Sequence, residues 1–200
     1  MASHHVQYEM LLAQYCNPLD AIALLREYRP YFELIPSLRR PTESMISLPL
    51  PVVKLDRPRD GQLHHTLTCD LALIFCDPEW RVKTGKEIVI FIHRPGEDFS
   101  DLLKRWRQLE VMLGYEFFWL FPQKYQHFFG EKGENHYPLF VTLDYTPDRI
   151  RRGLVGASLP FVSVQVKMPE EALLESARTS LASELDADEG DSEGPLELAE

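Results

Sequence analysis

The chain has 200 residues, of which 44% are hydrophobic and 11% aromatic, enough for one well-packed globular domain. The formal net charge is -10, but eight acidic residues lie within 184–200, a segment without lysine or arginine. The rest of the chain is therefore close to neutral. Its charge does not indicate nucleic-acid binding, although a local basic patch could still provide it.

The three cysteines, Cys16, Cys69 and Cys76, are odd in number and contain no C-x-x-C pair. This pattern argues against a disulfide framework and against a structural zinc site.

No apolar run approaches the roughly 18 residues that a membrane helix needs, and the first residues lack the pattern of a secretory signal. We therefore expect a cytoplasmic protein with reduced cysteines and no metal or cofactor. The sequence does not determine its oligomeric state.

The N-terminal third predicts two helices, over 6–15 and 18–28. Asn17 and Pro18 are typical of an N-cap followed by a first-turn proline. A short strand is predicted at 31–35. Four prolines lie between residues 36 and 51, so 45–53 is predicted to be at most an edge strand.

The middle of the chain predicts a β-hairpin. Residues 66–76 alternate in polarity, and the run from Glu87 to His93 is too apolar and β-branched to be half solvated. The connection contains Asp77 and Pro78, which favours an antiparallel pair. Asp70 is predicted at the solvent-facing side of the first strand.

An amphipathic helix is predicted over 98–113, because apolar residues such as Leu102, Trp106 and Leu109 recur every three or four positions. Asp98 is a candidate N-cap, and Gly114 is predicted to end the helix in a left-handed conformation. On the exposed side, local ion pairs are predicted between Asp101 and Arg105 and between Arg107 and Glu110.

A second apolar run, 117–121, follows this helix. Strand, helix and strand predict a βαβ unit in which 87–93 and 117–121 are adjacent parallel strands, with Trp106 buried between helix and sheet. Further strands are predicted at 138–144 and 160–167, separated by one helical turn that ends at Gly153.

The predicted fold class is therefore α/β or α+β. A single domain, 1–168, contains a mixed central sheet with one βαβ crossover, flanked by N-terminal helices and a C-terminal helix. That amphipathic helix spans 169–183, and the acidic tail 184–200 is predicted to be disordered, because it has too few apolar residues to offset its ordering entropy.

The order of elements around Asp70 and Lys104 carries a resemblance. Residues 68–123 resemble the PD-(D/E)XK, or restriction-endonuclease-like, core, above all its Uma2-type branch. The resemblance implies a divalent-metal site in which an acid on a hairpin strand and a glutamate on the next strand bind the ion. A basic residue from the following helix completes it. An active enzyme of this kind would have to use Asp70, Glu87 and Lys104, with Mg²⁺ or Mn²⁺.

The chain departs from this pattern at Phe91, which stands where the family has its metal-binding glutamate. Glu87 lies four residues away, roughly 13 Å at about 3.3 Å per residue. Since Mg²⁺ needs several oxygen ligands, Asp70 beside a phenyl ring does not form such a site. The resemblance thus implies a degenerate member without catalytic activity, and a divergent endonuclease-like enzyme is the alternative.

Two segments are candidates for binding a protein partner. Arg149, Arg151 and Arg152 are dense enough for an acidic or phosphate-bearing partner, although a solvated helical turn would also explain them. The predicted C-terminal helix carries a leucine stripe that either docks on its own sheet or binds a partner; its candidate residues are Leu173, Leu174 and Leu181. The sequence therefore favours an accessory protein that acts through protein–protein contacts.

Overall fold

The computed structural model describes residues 2–34, 47–50, 54–56, 65–76, 83–114, 118–120 and 135–166. The predicted C-terminal helix, with Leu173, Leu174 and Leu181, and the predicted disordered tail lie outside the described residues.

The described part of the chain contains five helices and eight strands. The helices are α1 (Ala2–Tyr15), α2 (Pro18–Glu27), α3 (Arg29–Leu34), α4 (Phe99–Leu113) and α5 (Asp148–Gly156). The strands are β1 (Ser47–Leu50), β2 (Lys54–Asp56), β3 (His65–Thr66), β4 (Leu71–Cys76), β5 (Lys83–Ile92), β6 (Phe118–Leu120), β7 (Asn135–Thr142) and β8 (Phe161–Ser163). No helix in these ranges has the length and apolar composition needed to cross a membrane.

The central sheet is mixed and five-stranded, in the order β1-β4-β5-β7-β8. Strands β1, β4 and β5 pair antiparallel, and β5, β7 and β8 pair parallel. The α/β class, the β4–β5 hairpin and the edge strand within 45–53 are confirmed. Helix α4 lies between β5 and β7 in the chain, and α5 lies between β7 and β8. The described ranges therefore contain two helical connections between parallel strands, where the sequence predicted one.

The predicted partner of β5 was wrong. The run 117–121 supplies β6, which pairs antiparallel with β2 in a separate three-stranded sheet of order β3-β2-β6. Strand β7 lies beside β5 instead and pairs with it from Lys86 to Ile92. An apolar run predicts burial, but it does not specify which strand completes the backbone hydrogen bonds. The longer β7 completes far more of them with β5 than the three-residue β6 could.

The N-terminal caps were predicted correctly. The side chain of Asn17 accepts a hydrogen bond from Leu19 N, and that of Asp98 accepts one from Asp101 N. The strand predicted at 31–35 is wrong, since Arg29–Leu34 is the short helix α3. Its second residue is a proline, which fits a first helical turn better than a strand.

Two predicted helix ends also differ from the structure. Gly114 follows α4 with φ -69°, so it is right-handed and not left-handed. Gly153 lies inside α5, which runs on to Gly156. A Cβ atom at Gly153 would come within 2.8 Å of the Phe99 ring, so glycine lets α5 approach the start of α4 closely.

The sheet is covered on both faces. Side chains of Ile88, Ile90 and Ile92 pack with α1, α2 and α3, while Val89 and Phe91 point to the opposite face, with α4 and α5. All five are fully buried, as predicted for a strand with two covered faces. The apolar side of α4 also packs as predicted.

Candidate functional site

Polar side chains gather at the edge of the sheet where the parallel strands β5 and β7 end. Asp70 directly precedes β4, which runs antiparallel to β5, so it reaches the same edge as His93 and Arg94, which follow β5. Thr146 arrives there after β7. The carboxyl ends of parallel strands are the usual place for ligand sites in α/β proteins, so this edge is the first candidate.

Asp70 is the centre of this group. Its Oδ1 atom accepts hydrogen bonds from Tyr8 Oη (2.8 Å) and Arg94 Nη2 (2.7 Å). Its Oδ2 atom accepts from Ile92 N (2.8 Å) and from Arg105 Nη2. The Asp70 side chain is only 1% exposed, so its predicted solvent-facing position was wrong. Each carboxylate oxygen already accepts from at least two donor atoms, which leaves little capacity for a further ligand.

Arg105 belongs to this group, which the sequence did not predict. It was predicted to pair with Asp101 at the surface, but its side chain is 10% exposed and binds Asp70 and Glu97. Arg105 lies three residues after Leu102 and four before Leu109, on the buried side of α4. That spacing was the available signal, because a buried arginine needs an acidic partner. The predicted pair of Arg107 with Glu110 does form.

The position that the resemblance assigns to a metal-binding glutamate is filled by aromatic packing. The Phe91 ring stacks on Phe140 with centroids 5.3 Å apart and meets Trp106 edge-on at 5.9 Å. The guanidinium carbon of Arg105 lies 5.4 Å from the Phe91 centroid, within the range of a cation–π contact. A ring and a cation thus occupy the space beside Asp70.

Glu87 lies toward the other end of β5. Its Oε1 atom accepts a hydrogen bond from Trp119 Nε1 at 2.7 Å, and its Oε2 atom is 2.9 Å from His136 Nε2. Ile92, whose N–H binds Asp70, is five residues further along, roughly 16 Å at about 3.3 Å per residue. The structure therefore does not bring Asp70 and Glu87 together. Glu87 instead links the two sheets through Trp119 of β6.

The other predicted site residues are separate from Asp70. Lys104 is exposed on α4, in an open groove that also contains Thr68 and Gln108, and it forms no ion pair with the described residues. Arg151 binds Asp148 (3.0 Å) and donates to the carbonyl oxygen of Leu143 (2.7 Å), so it holds α5 in place.

Arg149 and Arg152 remain exposed on α5. Neither forms an ion pair with any residue in the described ranges. Within the same ranges, no three histidine, cysteine, aspartate or glutamate side chains are grouped so that they could hold a metal ion. Cys69 is buried, and burial raises its pKa to about 12, so its thiol stays protonated and inert.

His93, which directly follows β5, is held in one tautomer. Its Nε2 atom donates to the carbonyl oxygen of Glu97 (3.0 Å), so the proton is on that nitrogen. Its Nδ1 atom accepts from the Thr146 hydroxyl (3.2 Å), which in turn accepts from Leu143 N (2.9 Å). A neutral ring therefore has both nitrogens satisfied.

Burial lowers the pKa of His93; contacts with Glu97 oppose this shift, and the charges of Arg105 and Arg151 reinforce it. A lowered pKa means that the unfolded chain binds the proton more tightly than the folded chain does. The stabilisation that neutral His93 provides is therefore complete above about pH 6.5 and is lost as the pH falls.

We expect the free energy of unfolding to decrease more between about pH 7.5 and 5 in the wild type than in His93→Gln. Urea unfolding measures this, with exposed His5→Gln as the matched control. Equal losses in wild type and His93→Gln would contradict it.

Comparison with known proteins gives no match to a family model, to a curated protein or to a solved structure. The resemblance to the PD-(D/E)XK core therefore stays a hypothesis.

Proposed function

We propose that this protein is a non-catalytic accessory protein that acts through protein–protein contacts, and that the Asp70 cluster is structural. One observation carries this proposal. The Asp70 carboxylate accepts hydrogen bonds from two arginines, a tyrosine and a backbone N–H. The cytoplasmic location expected from the sequence belongs to the same proposal.

The chemistry of the cluster supports a structural role. A metal-dependent nuclease needs a carboxylate that is open to a divalent ion. Here Arg105 supplies the positive charge that a metal ion would otherwise supply, and it is itself neutralised by Asp70 and Glu97. Removing one member of such a buried pair leaves the other charge buried without compensation. A metal ion could therefore reach Asp70 only if Arg105 moved away, which would destabilise the fold.

The contact surface that we propose is the exposed side of α5. Arg149 and Arg152 have no ion-pair partner in the described part of the chain, and Val155 nearby is 64% exposed. Arginine beside an apolar side chain is typical of protein interfaces. Since α5 carries three arginines and one aspartate, the surface is suited to an acidic region of a partner.

The test compares capture of partners by tagged wild type, by Arg149→Glu with Arg152→Glu, and by Arg26→Glu. Arg26 is an exposed arginine of α2, a helix that covers the opposite face of the sheet, so it controls for charge reversal alone. We expect a protein retained by wild type and Arg26→Glu but lost by the double variant. With that protein purified, the double variant should bind at least about tenfold more weakly at low salt, which corresponds to roughly 1.4 kcal/mol.

Equal binding by the wild type and the double variant would contradict the proposed surface.

A second experiment tests the endonuclease-like alternative with Asp70, Glu87 and Lys104. We expect plasmid DNA to remain uncut with Mg²⁺ or Mn²⁺. Cleavage by wild type that is lost in Lys104→Ala would overturn the non-catalytic proposal, because Lys104 is exposed and its removal leaves the fold intact.

A further inference from the structure

The exposed side of α5 carries positive charge that the described fold does not neutralise. Arg149, Arg152 and Val155 recur at three-residue spacing, so they lie on one side of the helix, and all three are exposed. Within the described ranges Arg149 and Arg152 form no ion pair, whereas Arg151 between them binds Asp148. Two arginines beside an apolar side chain suit an acidic segment that also carries apolar residues.

The chain itself contains such a segment. Residues 184–193 include six acidic side chains in ten positions, together with Leu185. The whole stretch 184–200 contains eight acids and neither lysine nor arginine, and it also includes Leu196 and Leu198. It lies outside the described residues. Its composition complements that of α5, because acids and leucines match arginines and a valine.

The described chain ends at the same edge of the sheet as the start of α5. Thr142 of β7 pairs in parallel with Ser163 of β8, so both strands end at this edge. Helix α5 begins at Asp148, shortly after β7, and the described residues end at Val166, shortly after β8. Arg149, in the first turn of α5, therefore lies at the edge from which the acidic segment continues.

The intervening residues are long enough to place the acidic segment on α5. Seventeen residues, 167–183, separate it from the last described residue. This length spans roughly 25 Å as a helix and about 23 Å as a flexible chain. Helix α5, with nine residues, is roughly 13 Å long. A tether of this length gives an effective concentration of about 1 mM, so weak charge pairs are sufficient for occupancy.

The opposite face of the sheet does not suit an acidic segment. There, Asp20, Glu27 and Asp144 line a cavity together with Val164 and Gln165, which follow β8. Like charges placed close together repel each other, so an acidic segment is disfavoured at this position. The charge on the two faces therefore favours α5.

We propose that residues 184–200 of the same chain cover the exposed side of α5 until a protein partner displaces them. Their acidic side chains pair with Arg149 and Arg152, and their leucines pack on Val155. This inference rests on the proposed function, because it takes α5 as the partner surface. It adds that the free protein shields this surface, so that a partner binds in competition with the protein's own acidic segment.

The test compares amide NMR spectra of the full-length wild type and of a full-length amide variant. In the amide variant, the eight acids of 184–200 are replaced by asparagine or glutamine. We expect the signals of Arg149, Arg152 and Val155 to differ between the two proteins, and those of α2, including Arg26, to coincide. Added salt should move the wild-type signals towards those of the amide variant, because screening weakens charge pairs.

Charge reversal on each helix provides the matched comparison. In a chain with Arg149→Glu and Arg152→Glu, replacing the eight acids should no longer change the signals of α5. In a chain with Arg26→Glu, the replacement should change them as it does in the wild type. Once a partner has been captured, the amide variant should bind it at least about threefold more tightly than the wild type does, since nothing competes for α5.

Identical α5 signals in the wild type and the amide variant would overturn the inference. Signals that change with protein concentration would also overturn it, because the occupant would then be the acidic segment of a second copy. Both results leave the proposed partner surface standing, since capture of a partner is measured separately. Failure of the proposed function has a different signature, namely a partner that the Arg149→Glu, Arg152→Glu variant still binds.

Discussion

Replacing Arg105 by methionine is expected to lower the free energy of unfolding by about 3 kcal/mol. The substitution keeps an apolar side chain of similar length on α4 but removes the cation between Asp70 and Glu97. Breaking a buried ion pair from one side typically costs about 3–5 kcal/mol, because the remaining charge is uncompensated. The lower end applies here, since Arg94 still binds Asp70. Urea unfolding monitored by circular dichroism measures the change.

Arg107→Met is the matched control, because Arg107 is exposed on the same helix and pairs only with Glu110 among the described residues. Its expected cost is within about 0.5 kcal/mol. The double variant Asp70→Asn, Arg105→Met should lose less free energy of unfolding than the two single variants together. Each single change leaves the charge of the other residue buried, whereas the double change removes both charges. Equal costs for Arg105→Met and Arg107→Met would show that the Asp70 cluster does not stabilise the fold.

Replacing Trp106 by alanine is expected to cost about 3–5 kcal/mol. Trp106 is 8% exposed and packs edge-on against Phe91 in the core between α4 and the sheet. Truncating a buried tryptophan loses its transfer free energy and leaves a cavity that the surrounding side chains fill only in part. Denaturant unfolding gives the value directly, from the midpoint and slope of the transition.

Val111→Ala provides the comparison for this second substitution. Val111 lies on the same helix but is 61% exposed, so its truncation removes little buried surface. A loss below about 1 kcal/mol for Trp106→Ala would contradict the packing of α4 on the sheet.

The two predictions concern opposite kinds of contact at one helix. Trp106 attaches α4 to the sheet by apolar packing, whereas the adjacent Arg105 attaches it by charge to Asp70 beside β4. A buried ion pair adds less stability than apolar side chains of the same volume would. However, any position of α4 that separated the two charges would be strongly destabilised. We therefore interpret the Asp70 cluster as a feature that fixes how α4 lies on the sheet.

The local features of this protein follow from residues that are close together in the sequence. The caps at Asn17 and Asp98, the hairpin of β4 with β5 and the buried side of α4 all follow from spacings of a few residues. Such local patterns state which backbone conformation is favoured and which side chains seek burial. The α/β class followed from them directly.

Contacts between distant segments depend on the complete fold. Strand β7 and not β6 lies beside β5, and Arg105 binds Asp70 across 35 positions of the chain. A cavity between α1, α2 and the end of β8 likewise brings Tyr15 and Asp20 together with Asp144, which lies in the connection after β7. These contacts are set by competition for hydrogen bonds, charge and packing among residues far apart in the chain. A single sequence shows that a buried group needs a partner, but the fold alone selects which residue that partner is.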